Sequence, residues 1–350
     1  IEEMFKARGN WVPYKIGSKK PVDFFFIGDK YLEDESLYNI YSNLKSVVGD
    51  SHKQLTHKTN LYTNLMHIPG SHKFLPNTIN INIKGTNIKY LDQFKKYFKP
   101  GKPYICKIVK GGAGIGIINT DNWHHFVDFM RKLYNRMYAN PTKFVHYDWV
   151  LQEYITDPWL LNGKKMHLRQ HMIFQPGDKQ SYYMYIGEIA VAESKYKKGD
   201  WLNKNIHDTH FHNGAGMVWP YEMNFSLDQW QQIKSQFDFI YACMLRVLNN
   251  ANVQCFEESK NCFEIFGIDI MITRDLRVIL IEANNKIGMS PDTEFTHKLI
   301  NSIMYNVVDS YFPPKYQQYS PFTFIPIKKL KANLQLKSTK TKKKSSRYLL

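Results

Sequence analysis

Several things are scarce in this chain of 350 residues, and each scarcity closes off a class of protein. No run of about 18 apolar residues occurs, so no membrane-spanning helix is expected. Cysteine is rare: Cys106, Cys243, Cys255 and Cys262 match no zinc spacing, and a disulfide framework is not expected in a chain this long. Cys106 and Cys262 lie in apolar, strand-like runs and read as small core residues, with a reducing, cytoplasmic compartment as the default. The first residues, IEEMFKARGNW, are mixed and charged, unlike a signal peptide, and the absence of Met at position 1 leads us to expect a missing N-terminal stretch. Internal repeats are absent. Acidic residues are few beside basic ones, 31 against 47, for a formal charge of +16. Such a surplus attracts polyanions: nucleotides, nucleic acid or acidic protein tails. Part of it sits in the tail Lys328 to Arg347, which reads as disordered, either simply solvated or docking an acidic partner.

What is present is enough for a packed, multi-part protein: 43% hydrophobic and 15% aromatic residues, the latter favouring sheets. Residues 1–100 read as a small mixed domain. VDFFFIG (Val22 to Gly28) is a buried strand, residues 36–66 are helical in pattern, FLPNTININI (Phe74 to Ile83) is extended, and Asp92 to Phe98 is a helix stopped by Pro100-Gly101. A second region, 101–222, opens with strand, glycine-rich turn and strand over Pro103 to Thr120, then a helix over Asn122 to Tyr138. The strands VLQEYI (Val150 to Ile155), KMHLRQHMIF (Lys165 to Phe174) and YMYIGEIAVAES (Tyr183 to Ser194) follow. A third region, 223–327, has a long helix over Ser226 to Asn249 with Ser226 as N-cap. Then come strands CFEIFGIDIMI (Cys262 to Ile272) and RVILIEAN (Arg277 to Asn284), and a helix over Pro291 to Ser310. Residues 328–350 form the tail.

Four patterns could carry chemistry. Asp269 lies inside an apolar strand and Glu282 ends the next, and a buried carboxylate needs a cation or strong donors. A two-residue turn at Arg274-Asp275 pairs 269 with 280, making Asp269 and Glu282 diagonal neighbours on one face with Asn284 beyond them; a longer loop would scatter the set. Two carboxylates and an amide oxygen suit Mg²⁺, and strand-end acids paired with Lys or Arg are the other reading. In KMHLRQH, Lys165, His167, Arg169 and His171 share one strand face while Met166, Leu168 and Gln170 take the other. That row either faces phosphates or is an exposed sheet face. The turn Gly111 to Gly116 can bring backbone N–H groups to phosphate, with Lys107 on the strand before it, or can be an ordinary glycine hairpin. It is neither a Walker A motif nor the Rossmann fingerprint. In VLQEYI, Gln152 and edge backbone could read adenine.

Taken in order, these segments resemble the tubulin–tyrosine ligase-like family, with its ATP-grasp fold, from about Leu55 to Ser290. LTHKTNLYTNL (Leu55 to Leu65) and FLPNTINI resemble its early basic and proline-threonine motifs, and YICKIVKGGAGIGI its WIVKP…GxGI motif. VLQEYITDPWLLNGKKMHLR is close to VQKYI…PLLI…GKKFDLR. CFEIFGIDIMI…VILIEANN resembles CFELFGFDILID…PWLLEVN. The resemblance implies an α+β fold, two ATP-grasp subdomains (101–222 and 223–327) gripping ATP between antiparallel sheets behind a small N-terminal domain. It places Lys58, Lys107, Gln152, Glu153, Tyr154, Ile155, Lys165, His167, His207 and Thr209 around the nucleotide, Lys165 and Arg169 at the phosphates as catalytic residues, and Asp269, Glu282 and Asn284 at Mg²⁺. It implies a monomeric, cytoplasmic or cytoskeleton-associated ligase that joins a free amino acid to an acidic protein such as a tubulin tail. Four positions depart from the family pattern: Ile108 replaces a proline, His167 an aspartate, His210 an asparagine, and Ala190 an arginine that recognises the incoming amino acid. These departures leave the amino acid open and raise an alternative, a nucleotide-binding relative without turnover. A basic nucleic-acid-binding protein is the more distant alternative.

Overall fold

The computed structural model describes residues 5–6, 11–15, 21–26, 39–46, 52–82, 88–99, 101–109, 117–139, 148–185, 187–209, 224–285, 294–313 and 322–330. The turn Gly111 to Gly116, His210 and the tail from residue 331 lie outside them.

The chain begins with β1 (Val22–Phe25) and β2 (Ser42–Lys45), then short helices α1 (Lys53–Thr56) and α2 (Lys58–Met66). Strands β3 (Thr78–Asn82), β4 (Tyr104–Ile108) and β5 (Ile117–Thr120) lead to helix α3 (Trp123–Ala139) and β6 (Asp148–Glu153). Next come β7 (Leu160–Leu161), β8 (Lys164–Phe174), β9 (Tyr182–Tyr183), β10 (Glu188–Lys195) and the single-turn α4 (Lys204–His207). The long α5 (Leu227–Asn250) precedes β11 (Ser259–Cys262), β12 (Glu264–Ile272), β13 (Val278–Asn284), α6 (Glu294–Tyr311) and β14 (Ile325–Pro326). A 3₁₀ stretch, Ile88–Tyr97, stands where a helix over 92–98 was expected.

Among the described residues the strands form three sheets. Four of them, in the order β3-β6-β4-β5, make an antiparallel sheet, and its apolar side packs on α3 through Trp149, Phe126 and Met130. Seven make the larger antiparallel sheet, β13-β12-β8-β9-β14 with β7 and β10 also on β8. Every residue of β12 is buried, as a central strand with an unbroken apolar run demands. One side of this sheet rests on α5, which a Ser226–Gln229 capping box starts and whose Ile233, Phe237, Ile240, Met244 and Leu248 face the core. The third sheet, β1-β2-β11, is parallel and closes a second core with α6. Hydrogen bonding crosses both divisions suggested at 101 and 223: β3 joins β6, and β8 joins β12.

Two expectations need correction. Residues 36–66 are not helical throughout, because Ser42–Lys45 is a strand. Its partners lie at 22–25 and 259–262, too far along the chain for local periodicity to reveal. Cys262 is buried, yet it is also bonded to Cys255, so a disulfide exists where none was expected. Cys106 and Cys243 are free and buried.

Candidate functional site

Strand β8 alternates as its sequence dictates. Met166 and Leu168 enter the core and Gln170 donates to the Tyr185 carbonyl, while Lys165 and His167 line a cleft of about 320 Å³. The four-stranded sheet supplies the opposite wall with Ile105, Lys107, Ile118, Gln152 and Glu153. Lys58, Tyr154, Ile155, His207, Thr209, Asp269 and Glu282 also line it. Arg169 and Asn284 join it through Asp269. The row on β8 is therefore not an exposed sheet face: Lys165 is 6% exposed and His167 5%. His171 is buried as well, and its Nδ1 has no hydrogen-bond partner.

Asp269 is 1% exposed and opposes Arg169 across β8 and β12. The Arg169 guanidinium clasps it in a fork, Nε on Oδ1 and Nη2 on Oδ2, the latter at 2.9 Å. Burial opposes the guanidinium charge, and the adjacent carboxylate outweighs that and raises its pKa. His167 reaches Asp269 Oδ1 at 3.9 Å through Nε2 and Thr209 Oγ1 at 2.6 Å through Nδ1. Lys58 Nζ lies 3.4 Å from Glu282.

The β12–β13 hairpin corrects the expected register. Its loop has three residues, Arg274, Asp275 and Leu276, closed by Thr273 N–H donating to the Arg277 carbonyl at 2.9 Å, with Leu276 left-handed at φ 63°. Ile270 therefore opposes Leu280. A regular ladder from there would set Ile281 opposite Asp269 and turn Glu282 to the core. Instead a bulge intervenes and Asp269 opposes Glu282 directly, with Asn284 opposite Gly267. The bulge leaves the Ile281 carbonyl for the Tyr62 hydroxyl, which donates to it at 2.5 Å.

These three side chains can be tested as a magnesium site. Asn284 Nδ2 lies 3.4 Å from both Asp269 Oδ2 and Glu282 Oε1. Amide N and O are interchangeable by a flip, so three oxygens can converge. Among the described residues no group of three His, Cys, Asp or Glu is placed to hold a metal. Two acids and an amide nevertheless fit Mg²⁺, which keeps water and phosphate oxygens for its other positions.

Across the cleft, burial pulls the Lys107 amine down to about 8, with Glu282 and Asp269 pulling it back. Lys165 falls to about 7 through burial and then through Lys107. Gln152 is 2% exposed and donates to Thr78 Oγ1 at 3.0 Å; Glu153 takes Lys102 and Asn77.

Sequence reasoning missed Trp201. Its ring packs at a tilt against Tyr154 and His207, and its indole N–H donates to Asp121 at 3.2 Å, which joins the β10–α4 connection to the β5–α3 turn. A lone Trp in the polar stretch KKGDWLNKN was the available signal. Ala190 directly opposes His167, so two of the departures form one cross-strand pair.

The fold is shared with the C-terminal domain of Pby1 from K. lactis, an ATP-grasp enzyme that interacts with the mRNA decapping enzyme Dcp2. The TM-score is 0.60 at 17% identity, over 95% of each chain. Among curated proteins, a probable tubulin–tyrosine ligase of Schizosaccharomyces pombe is 27% identical over 46% of this chain and 40% of its own. The mouse tubulin polyglutamylase TTLL6 is 22% identical over 60% of this chain and 27% of its own. The human protein monoglycylase TTLL8 is 24% identical over 46% and 21%. The chain thus spans less than half the length of each of these three relatives. The model of the Tubulin-tyrosine ligase family matches residues 40–320, most of the sequence, and the chain belongs to that family.

Proposed function

We propose that this protein is an ATP- and Mg²⁺-dependent carboxylate–amine ligase that attaches an amino acid to an acidic protein acceptor of the tubulin-tail kind. The observation that carries this reading is the convergence, in one buried cleft, of Lys58, Lys107, Lys165 and Arg169 on the Asp269–Glu282–Asn284 corner. Such a corner matches a polyphosphate on its metal better than any neutral ligand. The relatives named as tubulin ligases and polyglutamylases support the acceptor class, as does the formal charge of +16.

In this reaction a carboxylate attacks the γ-phosphate of ATP, ADP leaves, and the acylphosphate is opened by an amine that expels phosphate and forms the amide. Magnesium held by Asp269, Glu282 and Asn284 would supply Lewis-acid charge neutralisation at the phosphates. Lys107 and Lys165 bind and orient those phosphates and become fully charged as they do. Arg169, fixed by Asp269, keeps a permanent positive charge beside them. Gln152 and the apolar wall hold the base. No side-chain nucleophile is required.

Folded protein is incubated with ATP, Mg²⁺, tubulin and each labelled amino acid in turn. Label in tubulin together with ADP release is expected; neither appearing would sink the ligase reading. A second reading, nucleotide binding without turnover, draws on the His167–Ala190 pair, which places no arginine where the family recognises the amino acid. Tight ATP binding with no ADP release from any acceptor would favour it.

A further inference from the structure

Tyr154 stands next to β6, among residues that the family likeness assigns to the adenine. Its hydroxyl is engaged elsewhere. Lys165 Nζ donates to Tyr154 Oη at 2.7 Å and to the His207 carbonyl at 3.0 Å. Tyr154 Oη also lies 2.7 Å from His207 Nδ1. In its charged form Lys165 has three N–H groups and no acceptor, so the ammonium can only donate. The phenol oxygen keeps a second lone pair and its own proton, so its contact with His207 Nδ1 runs in the direction set by the imidazole tautomer. The other ring nitrogen of His207 is Nε2. That nitrogen is buried with no hydrogen-bond partner, between the Tyr196 and Trp201 rings. Burial and the neighbouring Lys165 hold the imidazole neutral, lowering its pKa to about 4. The phenol's own pKa is raised well above its usual value by burial, so it remains a hydroxyl.

We propose that Tyr154 and His207 are positioning residues for Lys165: together they take two of its three N–H directions and leave the third for a phosphate oxygen in the cleft. This deepens the proposed function and rests on its nucleotide-binding part. With the ammonium donating to its oxygen, the phenol directs its own proton away from Lys165. Among the described residues, Lys107 on β4 and Asp208 beside α4 act on the amine electrostatically, and His167 on β8, Glu153 and Lys204 line the same cleft. Lys107 repels the ammonium, Asp208 favours it, and a polyphosphate overrides both. The amine therefore takes up a proton as the nucleotide binds, and the phenol and carbonyl are the acceptors that make the charged form acceptable in a dry wall.

The test is calorimetric titration of ATP with Mg²⁺ between pH 6 and 9, in buffers of different ionisation enthalpy, on the wild-type chain, Tyr154→Phe, His207→Gln and Lys165→Met. The wild type should take up protons on binding at pH 8 and fewer at pH 6, where Lys165 is already charged. Tyr154→Phe keeps the ring and removes the acceptor. It should weaken binding at pH 8 roughly tenfold, by about the contribution of a hydrogen bond to a charged group, with a smaller loss at pH 6. His207→Gln offers the phenol an amide oxygen in place of Nδ1 and should lose less than Tyr154→Phe. Lys165→Met should abolish the Lys165 share of proton uptake, and the remainder reports Lys107. Equal losses for Tyr154→Phe at pH 6 and pH 8, or none, from folded protein would overturn the positioning role while leaving nucleotide binding intact. A wild type that binds no ATP would overturn both.

Discussion

The two walls of the cleft do different work with the same architecture. Both are antiparallel sheets backed by an amphipathic helix, α3 behind one and α5 behind the other. The four-stranded wall offers mainly shape: Ile105, Ile118 and Gln152 around a single lysine, Lys107. The seven-stranded wall offers charge: Lys165, His167, Arg169, Asp269 and Glu282 on three adjacent strands. Adjacent strands about 4.8 Å apart can hold opposite charges in contact, whereas a single strand can only space like ones. That is why the carboxylates and their counter-cations occupy the β8–β12–β13 centre, where each ion has a partner.

Three measurements would break or sharpen this contrast. The largest effect is expected from Asp269→Ala, which strands the Arg169 guanidinium. Urea unfolding should show a loss of about 3–5 kcal/mol, the cost of breaking a buried pair from one side; a loss under 1 kcal/mol would mean that Arg169 finds another partner. Next, ATP and AMP affinities separate charge from shape. Lys165→Met should weaken ATP about 100-fold and AMP by no more than about threefold, since a buried cation acts on the polyphosphate. Ile118→Ala should weaken both about fivefold, as expected for a few lost methylene contacts. A loss that differs between the two nucleotides for Ile118→Ala would end the division of labour. The smallest effect concerns pH. Burial pushes Lys165 and Lys107 down to about 7 and 8, below the usual lysine value of 10.5. The unfolded chain binds more protons above pH 7, so ligand-free stability should rise from pH 7 to pH 9. With ATP bound the slope should flatten or reverse.

The charged wall was largely legible in the sequence, because strict alternation in KMHLRQH puts Lys165, His167 and Arg169 on one side whatever they pair with. Asp269 and Glu282 stood out for a similar reason, as acids in apolar runs. Less could be read where the answer depends on a distant partner. Ser42–Lys45 carries four unremarkable residues and is extended only because β1 and β11 flank it. The bond between Cys255 and Cys262 depends on the turn closed by Ser259 N–H on the Phe256 carbonyl, which folds the chain back along β11 and which no spacing announces. The Tyr154–His207–Lys165 chain joins residues 11 and 42 positions from the lysine, through a side chain whose motif suggested adenine. Trp201 was overlooked because a connection between elements has no periodicity to read.

The Ile281 bulge has a consequence for how this hairpin can change. A strand has two sides, so the side a residue faces depends on whether its count from the turn is odd or even. The three-residue loop adds one to that count and the bulge adds one more. The two additions cancel, and Glu282 keeps its parity with Asp269. An insertion or deletion of one residue between 273 and 281 would leave the strands paired while sending Glu282 into the apolar core, away from the cleft. Changes in this segment should therefore survive only in compensating pairs, and the carboxylate corner is guarded by arithmetic as much as by packing.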